Sequence, residues 1–271
     1  MTTRARLSVS SWSLHKTLGS PAFYGVGETL PGNTHNQGEL SLLELPGAIA
    51  DIGINTLEIT HFHLPSTDDN YLDELKNAIS EADVELFSLL IDDGDITHPE
   101  HGERDLKWID SWLDVAEKLG SKCARVIAGK QDSSDDVLDL SAQRLALLAN
   151  KAETSGLRLM TENWFATTST PEAVTQLIKK LDGNLGLCMD FGNWKGETKY
   201  ADFKQIAHFA ESCHTKAYFD NGTINQEDYE ACLKITKDAN FKGPHTLIFE
   251  SEGLSDWEGL ATEKAIVQQY L

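Results

Sequence analysis

Four side chains that can bind a metal ion end four successive apolar runs in the second half of the chain. The runs read LRLMTEN, LGLCMDFGN, CHTKAYF and HTLIFESEG, and their ligand-type residues are Glu162, Asp190, His214 and Glu250. Successive residues of this set are 28, 24 and 36 positions apart, which is about one strand and one helix each time. Three carboxylates and one imidazole suit a hard or borderline divalent ion.

Each of the three acidic residues taken alone is at least as well explained as a salt-bridged or hydrogen-bonded carboxylate at a strand end. Three carboxylates in one mouth would repel each other and raise each other's pKa unless a cation compensates them. The sequence therefore predicts one divalent ion, with Mn²⁺ first and Mg²⁺, Co²⁺ or Zn²⁺ as alternatives. Such an ion can acidify the C–H beside a ketone by stabilising the enediolate.

The elements that must position these residues alternate along the whole chain. Segments with apolar residues at helical spacing separate the apolar runs, and Pro171 after Thr170 is typical of a helix start. Eight such repeats in 271 residues predict a single (β/α)₈ TIM barrel over residues 1–271. A doubly wound sheet is the alternative, although no GxGxxG follows a strand. The predicted strands are Arg6–Leu14, Thr56–His61, Val84–Ile91, Ala124–Ala128, Leu157–Glu162, Leu185–Asp190, Cys213–Tyr218 and Thr246–Glu250.

The composition excludes several classes of partner. The formal net charge is −20 and the pI is about 4.7, so the surface repels nucleic-acid phosphates and anionic lipid. No apolar run reaches the roughly 18 residues that a membrane helix needs. Four cysteines without a CxxC pair indicate free thiols in a reducing, cytoplasmic compartment. Exposed apolar helix faces of barrels often pair, so a homodimer is the protein partner we consider.

The order Glu, Asp, His, Glu, together with the H-x-K of His214 and Lys216, resembles the xylose isomerase-like superfamily. Within it, the sugar phosphate isomerase/epimerase group is the most similar. The resemblance implies one divalent ion bound by Glu162, Asp190, His214 and Glu250. It also implies that the two glutamates are the acid–base pair, and that the substrate is a small carbohydrate.

One position departs from that pattern. Many members have D-x-x-H where this chain reads Asp190-Phe191-Gly192-Asn193, so Asn193 takes the place of a histidine. An asparagine can hydrogen-bond a substrate oxygen but does not titrate. The difference also disfavours the DNA-repair branch of the superfamily, which uses a His-rich site with three metals. Lys216 is the cation expected beside the substrate.

Three further side chains are predicted to contact substrate. Trp12 follows the first predicted strand, and Trp164 comes two residues after Glu162. His61 ends the second strand. It is predicted either to contact substrate or to be a structural histidine with hydrogen-bonded ring nitrogens.

Two irregular segments complete the prediction. The glycine-rich stretch 19–39 is expected to be a lid over the mouth or an irregular excursion. The carboxylates of Asp92, Asp93 and Asp95 are interpreted as a solvated acidic turn rather than a calcium loop, because the other EF-hand positions are missing.

Three functional hypotheses follow from these residues. The first is a metal-dependent isomerase or epimerase of a small sugar, sugar phosphate or polyol ketone. The second keeps the site but makes it a lyase or dehydratase, for example on a keto-inositol or keto-glycoside. The third is a barrel that binds a sugar without turning it over.

Overall fold

The computed structural model describes residues 4–29 and 38–271. Residues 30–37, in the centre of the predicted lid, lie outside this range. Among the helices of the described ranges, none is long and apolar enough to cross a membrane.

Eight parallel strands close into a barrel, as the sequence predicts. The strands are β1 (Arg6–Ser10), β2 (Thr56–Thr60), β3 (Glu85–Leu90), β4 (Cys123–Arg125), β5 (Arg158–Glu162), β6 (Gly186–Asp190), β7 (Ala210–Lys216) and β10 (Pro244–Ile248). Around the barrel their order is β1, β10, β7, β6, β5, β4, β3, β2, so barrel strands that follow each other along the chain are neighbours and the last pairs with the first. A small antiparallel pair, β8 (Phe219–Asp220) and β9 (Thr223–Ile224), follows β7.

In the part of the chain that the structure describes, eight α-helices surround the barrel. Thr170 caps α5 by accepting from the Ala173 N–H, and Pro171 takes the first helical position, which confirms the predicted helix start. Helix α3 ends at Gly120, whose φ of 75° is a backbone conformation that favours glycine. The helices are α1 (Leu45–Asp51), α2 (Asp69–Glu81), α3 (Gly102–Leu119), α4 (Asp135–Thr154), α5 (Pro171–Lys180), α6 (Lys199–Ile206), α7 (Gln226–Asp238) and α8 (Asp256–Val267).

The last strand starts and ends earlier than the sequence suggests. Pro244 already pairs with Arg6 of β1, and the strand stops at Ile248 rather than at Glu250. The apolar run alone does not reveal this shift, because Pro and His open the strand. Glu250 therefore lies two residues beyond the barrel wall.

Helix α8 carries a buried carboxyl group. Glu263 is fully buried, and this burial raises its pKa well above the ordinary 4.5, against smaller opposing effects of the Ala217 backbone N–H and Lys216. The folded state therefore holds a proton that the unfolded chain releases. The stability that the raised pKa of Glu263 contributes is fully present below pH 4.5, and it is lost as the pH rises through the folded-state pKa.

We expect Glu263→Gln to gain stability relative to the unmodified protein as the pH rises, because the amide cannot ionise. The free energy of unfolding of both proteins, from urea denaturation at about pH 5 and about pH 8, measures this difference. Glu153→Gln, on the exposed face of α4, is the control and should show no such trend. An identical pH dependence of Glu263→Gln and the unmodified protein would contradict the assignment.

Candidate active site

A cavity of about 620 Å³ opens at the C-terminal ends of the strands, where TIM barrels carry their sites. Trp12, Phe23, Phe62, Trp164 and Phe165 form much of its wall. Its floor includes at least one residue from every barrel strand. These are Ser10, Thr60, Leu90, Arg125, Glu162, Asp190, His214, Lys216 and Ile248.

The carboxylates of Glu162 and Asp190 both approach the imidazole of His214 on this floor. His214 Nδ1 lies 3.5 Å from Glu162 Oε2 and 3.6 Å from Asp190 Oδ2. All three side chains are about 5% exposed. Glu162, Cys188 and His214 also place a ligand atom each within 4.8 Å of one another, although a buried thiol gives up its proton reluctantly.

Glu58 fixes the orientation of His214 from below. Glu58 Oε2 lies 2.7 Å from His214 Nε2, and its other oxygen accepts a hydrogen bond from Thr246 Oγ1 at 3.1 Å. Glu58 is completely buried. Burial lowers the pKa of His214, but Cys188, Glu58, Glu162 and a hydrogen bond to Asp190 outweigh that effect and raise it well above its ordinary value. A bound ion would take the place of the Nδ1 proton while Glu58 keeps the proton on Nε2, an arrangement common at metal-binding histidines. The signal in the sequence is a lone charge inside the apolar run of β2.

Arg125 supplies the one buried guanidinium beside this group in the described structure. Its Nη2 donates to Asp92 Oδ1 at 2.6 Å, and its Nε lies 3.1 Å from Glu162 Oε2. Burial lowers the pKa of Arg125, but Asp92 and Glu162 outweigh that effect and hold it above its usual range. The guanidinium also lies 5.4 Å from the centre of the Trp164 ring.

Backbone and amide groups hold the two carboxylates in place. Asn193 Nδ2 donates to Glu162 Oε1 at 2.7 Å. Asp190 Oδ1 accepts from the backbone N–H groups of Gly192 and Asn193 at 2.5 and 3.1 Å. Each carboxylate thus has one oxygen occupied by the protein and the other facing His214.

The sequence model of the protein family described as "Xylose isomerase-like TIM barrel" matches residues 46–268. The chain belongs to this family. The resemblance inferred from the four strand-end residues is therefore confirmed at the level of the family.

Three known proteins are similar to this chain. A "Putative hydroxypyruvate isomerase" of Streptomyces coelicolor is 30% identical over 138 residues, which is 46% of this chain and about half the length of that relative. A xylose isomerase-like TIM barrel protein from Mycobacterium smegmatis, solved with magnesium, superposes with a TM-score of 0.71 at 16% identity, covering 98% of this chain and 96% of its own. A D-allulose 3-epimerase from Methylomonas superposes with a TM-score of 0.71 at 15% identity, covering 99% of each chain. At these identities the two structures establish the shared fold.

Four of the five residues predicted to contact substrate line the cavity. Trp12, Trp164, Lys216 and Asn193 all contribute to its wall or floor. Asn193 has a second role besides the predicted substrate contact. Its amide donates a hydrogen bond to Glu162 and so positions a candidate metal ligand.

Glu250 is not brought to the group of candidate ligands. Its side chain is 54% exposed, and its Oε2 accepts a hydrogen bond from Lys216 Nζ at 2.6 Å. The physical reason is the early end of β10, which gives the floor position on this strand to Ile248.

His61 is also placed differently from the prediction. It is fully buried behind the cavity wall, and Nδ1 accepts the Asp92 backbone N–H at 3.1 Å. Its Nε2 then carries the proton and donates to the Tyr24 carbonyl at 2.9 Å. Both ring nitrogens are used by the backbone, so the structure favours the structural interpretation of His61.

The acidic turn after β3 is not solvated, which corrects the prediction. Asp92 pairs with Arg125, and Asp93 Oδ1 accepts from Lys130 Nζ at 2.6 Å. Asp95 is 6% exposed and accepts from Thr97 Oγ1 at 2.6 Å. The three carboxylates therefore order the β3 and β4 loops beside the cavity.

The donor set and its charge fit a divalent ion. Glu162 Oε2 is buried without a hydrogen-bond partner among the described residues, and two more ligand-type atoms face it. Glu58, Asp92, Glu162 and Asp190 bring four carboxylates to this region, against the guanidinium of Arg125 and the protonated imidazole of His214. A buried excess of negative charge of this size calls for a cation.

Proposed function

We propose that the chain is a divalent-metal-dependent isomerase or epimerase of a small sugar, sugar phosphate or polyol ketone. The observation that carries the proposal is the convergence of Glu162 Oε2, Asp190 Oδ2 and His214 Nδ1 in the mouth of the barrel. Mn²⁺ is our first choice of ion, and Mg²⁺, Co²⁺ and Zn²⁺ accept the same ligand types.

Glu162, Asp190 and His214 would hold the ion. When bound, it would polarise a ketone and its neighbouring hydroxyl and so acidify the C–H bond between them. Glu58 supports this role by keeping the proton of His214 on Nε2, away from the ligand atom.

Glu162 is the group we assign to remove the proton from carbon. Burial raises the pKa of its carboxyl, while Arg125 and His214 oppose that shift. A carboxylate of raised pKa is a stronger base than one in water. Asn193 donates a hydrogen bond to Oε1, and the charged Arg125 Nε lies 3.1 Å from Oε2, so the carboxylate meets the substrate in one orientation.

Lys216 and Glu250 form the second proton-transfer pair in this proposal. Burial lowers the pKa of Lys216, but its hydrogen bond and charge interaction with Glu250 outweigh this and raise the pKa. The amine is therefore an ammonium that can donate a proton on the cavity side. Return of a proton to the neighbouring carbon gives isomerisation, and return from the opposite face gives epimerisation.

The aromatic wall suits a small polar substrate. Trp12, Phe23 and Trp164 border the cavity, and their faces can cover the C–H surface of a sugar while excluding water. The names of the relatives support the same class of substrate, since one is described as an isomerase of hydroxypyruvate and another as an epimerase of D-allulose.

The test is hydrogen exchange at carbon. Purified protein loaded with Mn²⁺ is incubated in D₂O with a panel of ketoses and with hydroxypyruvate, and the recovered compounds are analysed by mass spectrometry. We expect one member of the panel to gain one deuterium on carbon, while loss of water would indicate the dehydratase reaction.

Two variants control this measurement. Asp190→Asn removes a candidate ligand and should abolish exchange, whereas Asp139→Asn breaks only a surface pair with Lys180 and should leave it intact. Absence of exchange throughout a broad panel, with metal bound, would contradict the proposal and support a barrel that only binds its ligand.

A further inference from the structure

Each lysine or arginine that lines the cavity is already held by a carboxylate. Among the described residues there are three such pairs, Arg125–Asp92, Lys130–Asp93 and Lys216–Glu250, each with its nitrogen and oxygen 2.6 Å apart. Residues 1–3 and 30–37 read MTT and LPGNTHNQ and add no lysine or arginine. A phosphate group in the cavity would therefore have to displace a carboxylate from any of these cations that it used.

The other basic groups near the cavity do not replace them. His15 lines the wall, but its burial lowers its pKa against the opposing effect of nearby carboxylates, so the ring is neutral at pH 7. Lys16 is not one of the lining residues, and its ammonium donates to the Ser251 carbonyl at 2.7 Å. The imidazole of His214 is the candidate ligand of the ion and is neutral when the ion is bound.

The places where TIM barrels frequently bind phosphate are acidic in this chain. Such sites are built from the loops after the last two barrel strands and from a helix N-terminus. Here these loops lead into α7 and α8, whose first turns carry Glu227 and Asp228, and Asp256 and Glu258. These carboxylates already occupy the positive ends of the two helices, where they repel a second anion.

The charge of the site stays negative with an ion in place. The three lining cations and a divalent ion bring five positive charges. Six carboxylates oppose them, namely Asp92, Asp93, Glu162 and Asp190 on the lining, Glu58 beneath His214 and Glu250 on Lys216. A phosphate monoester would add about two more negative charges, whereas an uncharged substrate adds none.

The same ion pairs suit hydroxyl groups. The side chains of Lys130 and Asp93 are 30% and 22% exposed, and those of Lys216 and Glu250 are 30% and 54% exposed. An ammonium has three donors and a carboxylate has about four acceptor sites, so each pair has capacity beyond its own bond. A hydroxyl both donates and accepts, and it can therefore bond both members without separating them.

We propose that the substrate is an unphosphorylated ketose or polyol ketone, whose hydroxyl groups bond the Lys130–Asp93 and Lys216–Glu250 pairs. This inference rests on the proposed function, because it names the substrate class of that reaction. It removes the sugar phosphates from that class, since their binding would break an ion pair and add charge to a negative cavity.

Matched pairs of a ketose and its phosphate ester test the inference. The Mn²⁺-loaded protein is incubated in D₂O with D-fructose, D-tagatose and D-ribulose and with D-fructose 6-phosphate, D-tagatose 6-phosphate and D-ribulose 5-phosphate. Mass spectrometry then gives kcat/KM for deuterium incorporation. In any pair that reacts, we expect the free ketose to be favoured at least about tenfold. A smaller preference, or a preference for the ester, would overturn the inference and leave the proposed function intact. No exchange with any compound would instead contradict both.

Inorganic phosphate provides a second readout that needs no turnover. Asp93→Asn removes the charge that holds Lys130, while its amide oxygen can still accept the Val26 N–H. In isothermal titration calorimetry of the Mn²⁺-loaded proteins, this variant should bind phosphate at least about fivefold more tightly than the unmodified protein. Asp139→Asn is the matched control, because it frees Lys180 on the surface and should leave the affinity unchanged. Equal affinities of Asp93→Asn and the unmodified protein would show that the ion pairs do not exclude phosphate, against the inference.

Discussion

Replacing Glu162 by glutamine is expected to lower the rate of hydrogen exchange at carbon by at least about 10³-fold. The change removes a metal ligand and the proposed base in one step, because Oε2 faces His214 and the substrate cavity. The amide oxygen of glutamine can still accept the hydrogen bond from Asn193, so the loop should keep its conformation. Circular dichroism, metal stoichiometry and exchange in D₂O measure the three consequences.

Glu197→Gln is the control for this variant, since Glu197 is exposed in the segment that follows Asn193. It should retain both metal and exchange. Full exchange by Glu162→Gln would show that another group takes the proton, and would contradict the assignment of Glu162.

Replacing Arg125 by methionine is expected to cost about 3–5 kcal/mol of folding free energy. The guanidinium is 4% exposed and lies against Asp92 and Glu162, so its removal leaves buried carboxylates without their cation. Urea denaturation of the metal-free protein measures the loss. Adding Asp92→Asn to the Arg125→Met variant should recover part of it, because the second change removes one of the unpaired charges.

Arg158→Met is the matched control for Arg125→Met. Arg158 also pairs with a carboxylate from the barrel, that of Glu211, but the two side chains are 23% and 31% exposed. Water screens this pair, so its loss should cost about 1 kcal/mol or less. Equal losses in the two variants would show that Arg125 has no special electrostatic role.

The fold and part of the site follow from the sequence because a parallel barrel strand is a short apolar run. Glu162 and Asp190 come at the ends of such runs, and both stand at the ends of β5 and β6. His214 lies within β7, two residues before the end of the strand, and still faces the mouth. Glu250 does not stand at a strand end, because β10 runs from Pro244 to Ile248 and ends two residues before it.

Glu58, Asp92 and Arg125 could not be assigned from the sequence. Strands of a parallel barrel are buried on both faces, so a lone charge such as Glu58 gives no indication of which face it takes. Arg125 and Asp92 are 33 residues apart in the chain, and only closure of β3 against β4 brings them together. These contacts depend on register and depth in the barrel, which apolar periodicity does not specify.

The most direct test of this account is a crystal structure of the Mn²⁺-loaded protein with the ion located by its anomalous scattering. We expect one strong peak within about 2.0–2.3 Å of Glu162 Oε2, Asp190 Oδ2 and His214 Nδ1. A saturated crystal with no peak between these three atoms, or with the ion bound elsewhere, would contradict the central claim that they form the metal centre.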